Sequence, residues 1–249
     1  MRSVRVLGCR VDAIDVSGAV ARIVALARGS EPSLVVTLGT EMVVRARTDA
    51  RFREVVNRSA LSLCDTIGVL FAARLWGARI PERVAGIELI DPLCAAFARE
   101  GISIYLLGAK GDTAERAART LRERYPTLVI AGARDGYFAP ADDESVADAI
   151  ARTGAQVALL GLGSPRQECW IDAHLLRAGC AVGIGIGGSF DVLAGNVERA
   201  PEAWQRANLE WLYRLLKEPQ RWRRQLALPY FVLLTLRERL FARPTLEES

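Results

Sequence analysis

Six short apolar runs, separated by segments of helical period, limit what this chain can fold into more than any other feature of it. The runs are "SLVVTLG" from Ser33, "LSLCD" from Leu61, "ISIYLLG" from Ile102, "LVIAG" from Leu128, "QVALLGLG" from Gln156 and "CAVGIGIGG" from Cys180. Strands this apolar suit a sheet covered on both faces. Between them, "DARFREVVNRSA", "DTAERAARTLRERY", "ESVADAIART" and "PRQECWIDAHLLRAG" carry apolar residues at helical spacing. The alternation predicts an α/β fold, a Rossmann-like and mostly parallel sheet with helical crossovers, over residues 1–195. After Gly195 no strand signal remains, only helical periodicity broken at Pro219 and Pro229. Residues 196–249 therefore read as a helical appendage.

A length of 249 residues suffices for one large core plus such an appendage. Cys9, Cys64, Cys94, Cys169 and Cys180 are odd in number and lack C-x-x-C spacing, which argues against a disulfide framework or a zinc knuckle and for a reducing cytosol. The first residues, "MRSVRVLGCRVD", lack a signal peptide's apolar stretch, and no run approaches the roughly 18 apolar residues of a membrane span. A soluble or surface-bound protein is expected. The formal charge of +4 is unevenly placed: Lys217, Arg221, Arg223, Arg224, Arg237, Arg239 and Arg243 face only Glu218 and Glu238. Basicity belongs to the tail.

Polar residues at strand ends are the candidates for chemistry. Asp65 ends "LSLCD", on the rim where a carboxylate can act as a general base or can cap the helix that begins near Thr66. Thr37 ends its own run in the same topological position, and Gln167 follows Gly161-x-Gly163 through Ser164-Pro165. That stretch offers free backbone N–H groups to a ligand, yet it also reads as a capping box with Ser164 as N-cap, Pro165 at the first helical position and Gln167 closing the box. Arg83, in "IPERVAG", can clamp a phosphate or be solvated. Gly136 and Tyr137 sit on a turn in "GARDGYF", where the ring can stack on a base or cover the core edge. "GIGIGG" matches G-x-G-x-x-G through Gly183, Gly185 and Gly188, but "SFDVLAG" after it is too short for the long helix of a dinucleotide fold. Asp191 in that segment can bond a ribose hydroxyl or cap a turn. With His174 as the single histidine and no D-x-D, neither a catalytic triad nor a metal site is expected.

Taken in order, "VVT", "CDTIG", "PERVAGIELI", "DGYF", "GLGSPRQECWI", "GIGGSFDVLAGNVERAPEAW" and "LEWLYRLLKEPQRWRRQ" resemble the WecG/TagA/CpsF glycosyltransferase family over roughly residues 30–235. The resemblance implies an inverting, metal-independent and cofactor-free transfer from a UDP-sugar donor to a polyprenyl-diphosphate-linked glycan acceptor. The context would be cell-surface polysaccharide synthesis of the exopolysaccharide, teichoic acid or enterobacterial common antigen type. Asp65 falls on the family's proposed base. Thr37, Arg83 and Gln167 fall on substrate-binding positions, and Gly136, Tyr137, Gly163 and Asp191 join them as binding candidates. Arg214, Arg221 and Arg224 fall in an appendage thought to complete the site, against the acceptor diphosphate, at the cytoplasmic membrane surface.

The implied location is cytoplasmic, peripheral to the inner face of the membrane, and a homo-oligomer is neither required nor excluded. Two positions depart from the family pattern. Thr37-Leu38-Gly39 stands where members often have T-x-N, and Asp65-Thr66 where they often have Asp-Gly. Donor identity is therefore not carried over: N-acetylmannosamine, its uronic acid and glucose stay open. Two other classes compete, a nucleic-acid-binding module built on the Arg- and Trp-rich tail and a nicotinamide dehydrogenase built on "GIGIGG". Against nucleic acid stands the apolar run "LALPYFVLL", which a membrane interface would use instead, with Trp222, Tyr230 and Phe231 entering the headgroup boundary.

Overall fold

Each of the six apolar runs is a strand of one parallel sheet. The computed structural model describes residues 2–207, 209–217, 222 and 227–241. Strands β1 (Ser3–Val6) and β2 (Cys9–Asp12) form an antiparallel hairpin ahead of the sheet. Strands β3 (Ser33–Leu38), β4 (Leu61–Cys64), β5 (Ile104–Gly108), β6 (Ile130–Arg134), β7 (Val157–Gly161) and β8 (Val182–Gly185) lie in the order β4-β3-β8-β7-β5-β6. The helices are α1 (Val16–Ala27), α2 (Thr40–Ala46), α3 (Ala50–Arg58), α4 (Ile67–Leu75), α5 (Gly86–Glu100) and α6 (Thr113–Arg124). They continue with α7 (Asp143–Ala151), α8 (Arg166–His174), α9 (Ser189–Leu193), α10 (Glu202–Arg206), α11 (Glu210–Lys217) and α12 (Ala227–Phe241).

Side chains alternate between two apolar layers, as period-two strands require. Leu34, Val36 and Leu38 join the layer under α2, α3, α4, α7 and α8, whereas Val35 faces the layer under α1, α5, α6 and α9. The β3–β4, β6–β7 and β7–β8 connections cross the first face, and β5–β6 crosses the second in the opposite direction, as does β4–β5 through α5 after laying α4 on the first face, the uniform handedness expected of parallel crossovers. The chain leaves β3 into α2 on the first face and leaves the neighbouring β8 into α9 on the second. Their diverging loops open a crevice at the carboxyl ends of these two strands.

The glycines of "GIGIGG" serve packing. A Cβ on Gly183 would stand 2.5 Å from Ile171 Cγ2, and one on Gly185 would stand 2.4 Å from Gln167 Nε2, so only glycine lets α8 lie this close to β8. The helix that follows, α9, spans five residues. The glycine run thus positions α8, and nothing in it forms the long helix that opens on a dinucleotide.

The tail corrects one expectation. Phe231 is 1% exposed, and with Leu234 it belongs to the first-face core against α2 and α4, so it does not enter a headgroup boundary. Gly68 of α4 makes room for this docking, since a Cβ there would meet Thr40 Cγ2 at 2.5 Å and Leu228 Cδ1 at 3.4 Å. The opposite side of α12 stays outside: Tyr230, Leu233, Leu236 and Leu240 are exposed, as are Trp222 and, on α4, Phe71. Helix α12 is apolar on both sides and buries one of them.

Candidate active site

The crevice holds a cavity of about 350 Å³, within the range of small-molecule sites. Thr37, Gly39, Asp65, Thr66, Arg83, Gly86, Ser164, Gln167 and the 186–189 turn line it, and Gln205, Glu210 and Trp211 from beyond the sheet close one side. Four of the residues singled out by sequence, Thr37, Asp65, Arg83 and Gln167, therefore meet in one place.

Asp65 sits at the end of β4, its N–H donating to Leu38 O at 3.2 Å. Its Oδ1 accepts from Gly86 N–H at 2.8 Å, at the first residue of α5. It does cap a helix, but not the one that follows it. The N-cap of α4 is Thr66, which makes no side-chain capping bond. Oδ2 lies on the Gly39 side, 3.9 Å from where a Cβ at residue 39 would stand, and that Cβ would also lie 3.4 Å from Thr66 Cγ2. The two departures from the family pattern, Gly39 and Thr66, thus lie side by side next to the carboxylate. The neighbouring Cys64 is inert as a nucleophile, because burial pushes its thiol up to about 12.

Thr37 donates its hydroxyl to Gly185 O at 2.8 Å, which ties β3 to β8 at the cavity floor. Arg83 reaches in from the loop before α5, with Nη1 3.5 Å from Asp65 O and Nη2 donating to Glu88 Oε1 at 2.5 Å. Arg199 Nη2 donates to the same Glu88 oxygen at 2.9 Å, and its Nε lies 3.8 Å from Glu210 of α11. Glu88 lies in "PERVAGIELI" and Arg199 in "GIGGSFDVLAGNVERAPEAW". Their pairing joins residues far apart in the chain, which no local pattern reveals.

The capping box over 164–167 does not form. Helix α8 begins at Arg166 after Pro165, without a side-chain cap. Arg166 instead donates to Gly136 O at 3.0 Å and Phe138 O at 2.9 Å and stacks on the Phe138 ring. The buried Gln167 donates from Nε2 to Glu168 Oε1 at 2.7 Å and accepts from Gly187 N–H at 3.3 Å. Gln167 faces the cavity floor rather than its own helix end.

Gly136, Tyr137, Gly163 and Asp191 do not line this cavity. They stand along the other half of the sheet's carboxyl edge. Gly136 is packed tightly, a Cβ there meeting Leu162 Cδ2 at 2.6 Å, while Tyr137 is 73% exposed beside it. Gly163 takes a left-handed φ of 78°, the backbone that lets the chain turn into α8. Asp191 Oδ1 accepts from Asn196 Nδ2, which also donates to Thr113 Oγ1 at the start of α6. Arg221 and Arg224 lie outside the described residues, as does the side chain of Arg214, whose backbone belongs to α11.

Known proteins match this arrangement of motifs. The sequence profile of the glycosyl transferase WecG/TagA/CpsF family matches residues 4–245. An N-acetylglucosaminyldiphosphoundecaprenol N-acetyl-beta-D-mannosaminyltransferase of Bacillus subtilis (strain 168) is 37% identical over 206 residues, covering 83% of this chain and 80% of the relative. A protein of the same name from Bacillus spizizenii strain W23 is 35% identical over 213 residues, covering 85% and 82%.

Proposed function

The chain belongs to the WecG/TagA/CpsF family of glycosyltransferases, and on that premise we propose that it moves a sugar from a UDP-sugar to a saccharide on a polyprenyl diphosphate, inverting the anomeric centre without a metal ion. The relatives' names specify an acceptor of the lipid-diphosphate class. The observation that carries the reading is Asp65, a carboxylate at a strand end, in a cavity that it shares with Arg83 and Gln167. In the proposed step the acceptor hydroxyl oxygen attacks the anomeric carbon from the face opposite the diphosphate. Its proton passes to Asp65, and the electron pair of the broken C–O bond leaves on UDP. Arg83 offsets the developing charge. Arginine would take the charge-neutralising place of a D-x-D-bound metal ion, a motif that the sequence lacks.

The test is a panel of UDP-N-acetylmannosamine, UDP-N-acetylmannosaminuronic acid and UDP-glucose with a short-chain lipid diphosphate saccharide, with products weighed by mass spectrometry and the new linkage read by NMR. Transfer should survive EDTA and give the inverted anomer. Loss restored by a divalent ion would remove the metal-free step, and a retained anomer would remove the single displacement. Arg83→Ala should lower kcat/KM roughly 10- to 100-fold, the scale of a charge-assisted hydrogen bond, and Arg83→Lys should lose less. Equal losses in the two would count against an interaction of Arg83 with the diphosphate.

We place the working location at a membrane surface and assign residues 196–249 to completing the site there. No helix of the described residues is long and apolar enough to cross a membrane. Support comes from the exposed apolar side of α12, next to the exposed Arg237 and Arg239, and from Trp211 in the cavity wall.

A further inference from the structure

Glu168 is fully buried one residue after Gln167, and the transfer step makes no use of it. A buried carboxyl is costly unless its bonding compensates. Glu168 Oε1 accepts from Gln167 Nε2 at 2.7 Å, and the Ser164 hydroxyl, from the same cavity wall, is a second donor to the carboxyl. At the other end of the same amide, Gln167 Oε1 takes the Gly187 N–H at 3.3 Å. Flipping that amide would set Nε2 against a backbone donor and Oε1 against a carboxyl oxygen. Both contacts would turn repulsive, so Glu168 and Gly187 together fix one orientation. The strand beneath is cut to fit, since a Cβ on Gly185 would stand 2.4 Å from Gln167 Nε2 and 3.0 Å from Glu168 Oε1.

We propose that Glu168 is a positioning residue: it holds the Gln167 amide so that the second Nε2 hydrogen is presented to an oxygen of the substrate, a sugar hydroxyl or a phosphate oxygen, while the 187–188 turn is pinned in the cavity floor. The inference rests on the reading above that Gln167 touches substrate. Glu168 serves through its acceptor oxygen rather than through its charge. Burial pushes its carboxyl above the usual range, against the bonds from Gln167 and Ser164, and a glutamine at 168 would offer the same carbonyl oxygen in a neutral group.

The experiment measures kcat and KM with whichever UDP-sugar of the panel turns over, for the full chain and for Glu168→Gln, Glu168→Leu, Gln167→Ala and the double variant Gln167→Ala/Glu168→Leu. Glu168→Gln should stay within about threefold of the parent, and Glu168→Leu should lose roughly tenfold or more in kcat/KM, the scale of one misplaced hydrogen bond. The double variant should be no worse than Gln167→Ala alone, because Glu168 acts only through that amide. If Glu168→Leu does not fold, Glu168→Asp, which withdraws the acceptor by one methylene, replaces it in the same cycle. Losses that multiply in the double variant, or an unimpaired Glu168→Leu, overturn the positioning role while leaving Gln167 as a substrate contact. An unimpaired Gln167→Ala overturns the role of Gln167 itself, and this inference with it.

Discussion

Asp65→Asn should lower turnover by about 10²- to 10⁴-fold, the contribution of a positioned general base, with little change in thermal midpoint. The asymmetry comes from the two jobs of one side chain. Asp65 Oδ1 accepts from Gly86 N–H at 2.8 Å, and an asparagine keeps that acceptor and so keeps the start of α5 satisfied. What it loses is the lone pair that takes a proton. Asp65→Leu removes both, and should lose activity together with about 1–3 kcal/mol of stability, the cost of a buried donor left unpaired. Time courses of product by mass spectrometry and melting curves on the two variants separate the roles. Undiminished turnover in Asp65→Asn would end the assignment of the base. A melting point that falls as far in Asn as in Leu would show that the capping bond needs the charge.

The second large effect belongs to α12. Phe231→Ala should cost about 3–5 kcal/mol, typical of emptying a core aromatic site, and should lower the melting temperature on the order of 10 °C in a chain of this size. Leu233→Glu and Leu240→Glu, on the exposed side of the same helix, should leave the melting point nearly unchanged and abolish flotation with anionic liposomes. If Phe231→Ala melts like the parent, α12 is not held against α2 and α4 as described. If the glutamate variants still float, the membrane surface lies elsewhere.

The central sheet was legible because strands buried on both faces leave little but branched and apolar residues, and all six runs are strands. The β1–β2 hairpin was not. Its two strands alternate Val4, Val6, Cys9 and Val11 with arginines, but they turn through Leu7 and Gly8, both at positive φ, where the usual sequence sign is Asn-Gly. In the cavity, Thr37 and Asp65 were visible because a strand's carboxyl end is a position that sequence gives directly. Arg166, Glu88 and Arg199 acquire their roles from partners between 5 and 111 residues away, and spacing along the chain carries no trace of that. Phe231 was misplaced for a different reason. An apolar run in a helix says that something apolar covers it, and core and lipid leave the same mark. Only the packing against Gly68 tells which side of α12 goes where.

Arg166 and Gln167 are consecutive on the first turn of α8, yet one grips the 136–138 loop and the other the 187–188 turn. The two halves of the sheet edge are therefore geared to a single shaft. The proposed single displacement would need its reactants spaced to within a fraction of an ångström, and a common turn of helix leaves no hinge between the two loops it holds. Exchange of the 135–138 segment between relatives is accordingly never a change to that loop alone: unless Arg166 and its carbonyl anchors travel with it, the turn of helix that carries Gln167 shifts as well.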